Sequence, residues 1–259
     1  MKDFKGVEKQ NMLLKGKIAL VTGGSRGIGK AICLSMAEEG ADVVVNFAHH
    51  EEAALEVVNL VKKRGRKGFP IQADVSSLRD VERMINKIVD FFGRIDILVN
   101  NAGVYLEKEV VNTSEEEWDY LMSVNLKGVF NCCKATISHM IKRKTGKIIN
   151  IASFVGKRGS RGHAAYAASK AGVHAFTRSL AREVALYGIC VNCVDPGRVR
   201  TDMTEPFYAK EKDRWLSDTP LGRLGTPQDV ANVVVFLASS RADYITGETI
   251  EVNGGLLMD

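Results

Sequence analysis

Short apolar runs recur along this chain, and stretches with helical spacing separate them. Ile18-Ala19-Leu20-Val21, Val43-Val44-Val45, Ile97-Leu98-Val99 and Ile148-Ile149-Asn150-Ile151 are nearly continuous in apolar residues. Such runs mark strands buried on both faces, as in a parallel sheet. Phe69-Pro70-Ile71, Ile189 to Val194 and Ile250-Glu251-Val252 read as three further strands. Helical segments are expected between them: one ending at Gly40, then Glu51 to Arg64, Leu78 to Phe92, a long region opened by Ser114, His163 to Tyr187, and one from Thr226 to Ser239. Ser114 with Glu117 has the capping-box spacing. Gly40 and Gly188 fall where left-handed helix ends are common, and Pro227 stands at a first helical position. Strand alternating with helix predicts an α/β fold, a doubly wound seven-stranded parallel sheet flanked by helices. No linker or repeat divides it. Residues 1–12 read as a polar N-terminal extension and 13–259 as one domain.

Sheets of this kind bind ligands beyond the carboxyl ends of their strands, and the distinctive residues fall there. Thr22-Gly23-Gly24-Ser25-Arg26-Gly27-Ile28-Gly29 joins the first strand to the first helix. Gly23, Gly27 and Gly29 permit a tight turn and close backbone approach, and the helix start offers free N–H groups to a pyrophosphate. Ser25, Arg26 and Ile28 belong to the same loop. An acid at the end of the second strand would bind ribose hydroxyls and repel a 2′-phosphate. The segment here is Val45-Asn46-Phe47-Ala48, and Arg26 adds a positive charge, so NADP(H) is expected over NAD(H). Asp74-Val75 closes the third strand, where the carboxylate can meet an adenine, and Asn101-Ala102-Gly103 the fourth. Pro196-Gly197 closes the sixth, with Val199 and Thr201 following within reach of a nicotinamide.

Tyr166 and Lys170 lie four positions apart on a helix and so share one face. An ammonium beside a phenol favours the phenolate, and such a pair suits general acid–base catalysis. Ser153, after the fifth strand, can bind a substrate carbonyl. Asn125 lies inside a helical stretch, where an amide is unfavourable without a reason, and is read as a holder of a relay water.

Composition narrows the classes. With 36 basic residues against 31 acidic ones the net charge is only +5, short of a nucleic-acid footprint. No apolar run approaches membrane-spanning length, and the five cysteines lack framework spacing. Neither nucleic acid nor membrane is expected as a partner, and a cytoplasmic setting is. Cys190 and Cys193 fall at an odd offset in a strand, which sends them to opposite faces.

Taken together, TGGSRGIG, Asp74-Val75, NNAG, Asn125, Ser153, YAASK and the Pro196-Gly197 turn with Thr201 resemble the short-chain dehydrogenase/reductase family from about Leu13 to Leu257. The resemblance implies a single-domain Rossmann fold, a homotetramer, and a catalytic tetrad of Asn125, Ser153, Tyr166 and Lys170. In that scheme Tyr166 transfers the proton, Lys170 lowers its pKa and binds the nicotinamide ribose, Ser153 orients the carbonyl and Asn125 holds the water. Pro220 to Gly225, Ile245 to Glu248 and Val252 to Gly255 are most similar to the 3-oxoacyl-(acyl-carrier-protein) reductases of the family. That likeness implies a small-molecule or carrier-linked ketone and docking of an acyl carrier protein at Lys142, Arg143 and Lys144. Tyr187 stands where this subgroup often has a second docking arginine. Sugar, polyol or other small-ketone dehydrogenases are the alternative reading, and a non-catalytic NADP-binding regulator a distant one. Lys157, Arg158, Arg161, Arg198 and Arg200 are expected to rim the substrate mouth and favour an anionic or phosphopantetheine-linked substrate. Thr204 to Thr219 is expected to be a loop over the substrate, lined by Phe207, Tyr208, Trp215 and Leu216.

Overall fold

The computed structural model describes residues 12–258. Most of the expected N-terminal extension, residues 1–11, lies outside the described residues. Seven parallel strands form one sheet in the order β3-β2-β1-β4-β5-β6-β7. They are β1 (Ile18–Val21), β2 (Asp42–Phe47), β3 (Gly68–Gln72), β4 (Ile97–Asn100), β5 (Gly146–Ile151), β6 (Ile189–Pro196) and β7 (Thr249–Val252). Helices α1 (Gly27–Glu38), α2 (Glu51–Lys63) and α3 (Leu78–Phe92) link the first four strands. Next come α4 (Glu115–Met122), α5 (Gly128–Arg143), the short α6 (Val155–Arg158) and α7 (Ala164–Val184), and then α8 (Glu205–Asp218) and α9 (Pro227–Ala238).

Successive strand residues face opposite sides, which explains the unbroken apolar runs. Ala19, Val21, Val43 and Val45 pack against α1, α2 and α9. Leu20, Val44, Leu98 and Ile148 pack on the other side against α3, α5 and α7. Each such side chain fully withdrawn from water contributes roughly 1.5–3 kcal/mol. Capping fixes the helix starts as the sequence suggests. Ser114 and Glu117 bond reciprocally, as do Thr226 and Asp229. Cys190 and Cys193 are both unpaired in β6. Among the described residues, no helix is long and apolar enough to cross a membrane.

One expectation is overturned. Thr204 to Thr219 is no loop: most of it is α8, which begins beside Pro206 and buries none of its residues. With no apolar face packed on the core, its sequence lacks the stripe that marks a helix.

Candidate active site

Strands β1 to β6 deliver their carboxyl ends to one cavity of ≈ 620 Å³. After β1 the chain turns through Gly23 and Gly27, with left-handed φ of 60° and 53°. A Cβ on Gly29 would stand 2.2 Å from the Gly23 carbonyl oxygen, and one on Gly23 2.9 Å from Ala102 Cα. Only glycine permits this approach, and the first turn of α1 has no side-chain cap competing for its amides. Asn101 braces the loop, donating to the carbonyls of Thr22 at 2.9 Å and Gly23 at 3.1 Å. Asn46 is a brace too. Its Oδ1 accepts from Gly23 N, and its Nδ2 donates to Ala73 O at 3.1 Å. Gly197 passes Asn253 so closely that a Cβ would lie 2.6 Å from its Cα. Gly23, Ser25, Arg26, Gly27, Ile28, Gly29, Asn46, Asp74, Val75, Asn101, Ala102, Gly103, Pro196, Gly197, Val199 and Thr201 all border the cavity. A glycine cradle at a helix start, bordered by a flat-sided cleft, fits a dinucleotide.

Ser153, Tyr166 and Lys170 border the same cavity. Ser153 Oγ accepts from Val155 N at 3.3 Å and hydrogen-bonds the Tyr166 phenol. Lys170 Nζ donates to the Ile151 carbonyl at 2.9 Å and stands 5.8 Å from the Tyr166 ring centroid. Burial pushes the Tyr166 phenol up to about 12; Ser153 pulls against that and the Asp195 carboxylate adds to it. Burial pulls the Lys170 ammonium down to about 8, opposed by Cys193 and Asp195. Burial, Ser153 and Asp195 set the shift of the phenol here, while the Lys170 ammonium is held by the Ile151 carbonyl. At neutral pH the phenol is protonated, the state of a proton donor.

Asn125 does not reach the cavity. It sits in a π-helical turn, Ser123–Lys127, between α4 and α5, a distortion frequent at functional sites. Its Oδ1 accepts from Val104 N at 2.8 Å, and its Nδ2 donates to Val104 O at 2.9 Å and Ser169 Oγ at 3.2 Å. Its amide thus ties the chain after β4 to α7.

The expected cationic rim is largely neutralised. Lys157 pairs with Glu251, Arg161 with Glu109, Arg198 with Asp218 and Arg200 with Glu205. Of the five expected cations only Arg198 borders the cavity; Arg26 and Arg214 also do. Of the residues expected over the substrate, Phe207 and Trp215 border the cavity, whereas Tyr208 and Leu216 do not. Tyr208 instead stacks under Arg200 at 4.6 Å.

Sequence reasoning missed two clusters. Tyr105 packs edge-on to Tyr166 at 5.3 Å between ring centroids and hydrogen-bonds His163 and Glu107. The signal available was His163, one turn before Tyr166. The second cluster is Asp195 with His174, fully buried and 2.7 Å apart; its signal was an acid closing an otherwise apolar strand. With Cys193 they place three ligand atoms within 4.8 Å of one another. Burial pushes the Cys193 thiol far up, and Asp195 adds to this.

Comparison with known proteins adds independent findings. A family model described as enoyl-(acyl carrier protein) reductase matches residues 23–257. The chain is 48% identical over 242 residues to the 3-oxoacyl-(acyl-carrier-protein) reductase FabG of Staphylococcus aureus, covering 93% of this chain and 98% of that one. It is 46% identical over 247 residues to the Vibrio cholerae protein of the same name, covering 95% and 100%. A crystal structure of a putative short-chain alcohol dehydrogenase from Sinorhizobium meliloti superposes with a TM-score of 0.91 at 39% identity, covering 95% of this chain and 98% of that one.

Proposed function

The chain belongs to the short-chain dehydrogenase/reductase family, and from that premise we propose that it is an NADP(H)-dependent ketoreductase acting on 3-oxoacyl thioesters, carrier-linked ones included. The observation that carries this reading is one cavity holding both a glycine cradle for a dinucleotide and the Ser153–Tyr166–Lys170 cluster. A bound nicotinamide supplies the hydride to the carbonyl carbon. Tyr166 donates the proton to the carbonyl oxygen. Ser153 fixes that oxygen, and the Lys170 ammonium steadies the phenolate that remains. A protonated phenol paired with a serine hydroxyl suits an oxygen acceptor, which favours ketone reduction over the enoyl reduction in the matched model's description.

NADP(H) over NAD(H) rests on the end of β2. No acid stands there, and Arg26, His49 and His50 border that part of the cavity, the Arg26 guanidinium offering charge to a 2′-phosphate. Carrier docking is the weaker part. Lys142, Arg143 and Lys144 lie at the amino end of β5, a strand length or about 20 Å from the cavity edge. Arg143 is committed to Asp96 at 2.9 Å. A carrier would engage Lys142 and Lys144, with Tyr187 adding no charge. A homotetramer belongs to the same reading; the shallow apolar groove of Leu126, Phe130, Gly172 and Phe176 supports it.

The test is a substrate panel of acetoacetyl thioesters, sugars, polyols and cyclic ketones, each with NADPH or NADH (oxidised forms for the alcohols). An acetoacetyl thioester with NADPH is expected to give the highest kcat/KM. A sugar or polyol at the head of the panel would replace this reading by the alternative one.

A further inference from the structure

Asp195 is the penultimate residue of β6, next to the Pro196-Gly197 turn, and has no exposed surface. Its Oδ1 takes the 2.7 Å contact from His174 Nε2, and its Oδ2 has no hydrogen-bond partner among the described residues. A buried carboxylate oxygen left unpaired is costly and calls for an explanation. His174 lies one turn after Lys170 on α7, and Gly156 closes over its ring: a Cβ there would come within 3.0 Å of His174 Cε1. The charged and titratable groups around Asp195 are Tyr166, Lys170 and His174 on α7, Cys193 on β6, and Glu251 on β7, itself paired with Lys157 of α6 at 2.7 Å.

We propose that Asp195 is a positioning residue for the reaction: a buried counter-charge, oriented by its hydrogen bond with His174, that keeps Lys170 cationic and Tyr166 protonated. The charge count supports it. Lys170 is buried, and its nearest formal partner is a backbone carbonyl. One buried carboxylate balances one buried ammonium; a second cation on His174 would leave the cluster positive. His174 donates its Nε2 hydrogen to Asp195. A negative charge at Asp195 raises the proton affinity of both catalytic groups, consistent with its direction of effect on each. In ketone reduction both must hold their protons, so the carboxylate extends activity to higher pH.

The inference rests on the reading of Tyr166 and Lys170 as catalytic, and the experiment separates the two. The pH dependence of kcat/KM for acetoacetyl thioester reduction is measured for wild type, Asp195→Asn, His174→Gln and Tyr166→Phe, each checked for folding by its thermal melt. Asp195→Asn keeps the shape and an acceptor for His174 while deleting the charge. Its alkaline limb is expected about one pH unit below that of wild type. His174→Gln keeps a donor to the carboxylate, and its limb is expected in the wild-type position. A limb that stays put in Asp195→Asn overturns the proposal, as does an upward shift in His174→Gln, which would mean that the imidazole had been charged. If Asp195→Asn does not fold, the His174→Gln limb decides. Undiminished turnover in Tyr166→Phe would instead sink the catalytic reading itself.

Discussion

Two buried aspartates, one at each edge of the sheet, show how differently the molecule treats its two ends. Asp96, just before β4 at the amino edge, is 5% exposed and saturated. Its Oδ2 accepts from Ile18 N at 2.9 Å and Arg94 at 3.0 Å, and its Oδ1 from Arg143 at 2.9 Å. Burial would raise its pKa, yet these three donors prevail and hold the carboxyl below its usual range. Asp195, at the carboxyl edge, is more deeply buried and has one oxygen unpaired. The amino edge joins β1, β4 and α5 through a carboxylate with both oxygens paired. The carboxyl edge tolerates glycine cradles, a π-helical turn, a half-paired acid and a desolvated lysine, features that serve chemistry more than stability.

The comparison breaks if damage at one edge shows up as the other kind of loss. Gly29→Ala has the largest expected effect on cofactor binding. Its methyl would meet the Gly23 carbonyl, and the Kd for NADPH should rise on the order of 100-fold, read by fluorescence titration. Asp96→Asn comes next. It should lower unfolding stability by about 2–3 kcal/mol, measured in urea, while kcat/KM of the folded enzyme stays within about twofold, well short of a tenfold step. The stabilisation from Asp96 persists through neutral pH and is lost only in acid, as pH falls through its lowered pKa.

The third effect is pH dependence. Because Lys170 titrates at about 8 when folded, reduction should fall as pH rises through that value, nearing tenfold per unit beyond it. The same shift has a consequence for stability. The buried ammonium costs stability below about 8, and this cost disappears as pH rises from there toward the ordinary lysine value of 10.5. Smallest is Arg26→Ala. Arg26 is exposed, so the ratio of kcat/KM with NADPH to that with NADH should fall only about fivefold. A rise in that ratio would remove Arg26 from the account.

Much of this was legible before any coordinates. Strands buried on both faces betray themselves as apolar runs, and α3 has the bounds Leu78–Phe92 that the sequence suggests. The residues expected to hold the cofactor border one cavity, because most lie at or just past the carboxyl end of a strand and strands of a parallel sheet end at one edge. What stayed hidden depends on tertiary contact. α8 has no packed face to pattern it. The expected cations find carboxylates brought near by folding, such as Glu251 for Lys157. Asn125 reads as a helical amide, but its partner Val104 lies in irregular chain. His174 and Asp195 meet only because α7 crosses β6.

The central claim is that Tyr166 performs proton transfer at an edge whose stability does not depend on it. It is tested most directly by kcat/KM for acetoacetyl thioester reduction with NADPH in Tyr166→Phe, with the melting temperature taken on the same sample. The account predicts a fall of roughly 10²–10⁴-fold, with stability altered by no more than about 1 kcal/mol. A variant that melts as wild type does and still reduces the thioester at near the wild-type rate would contradict it.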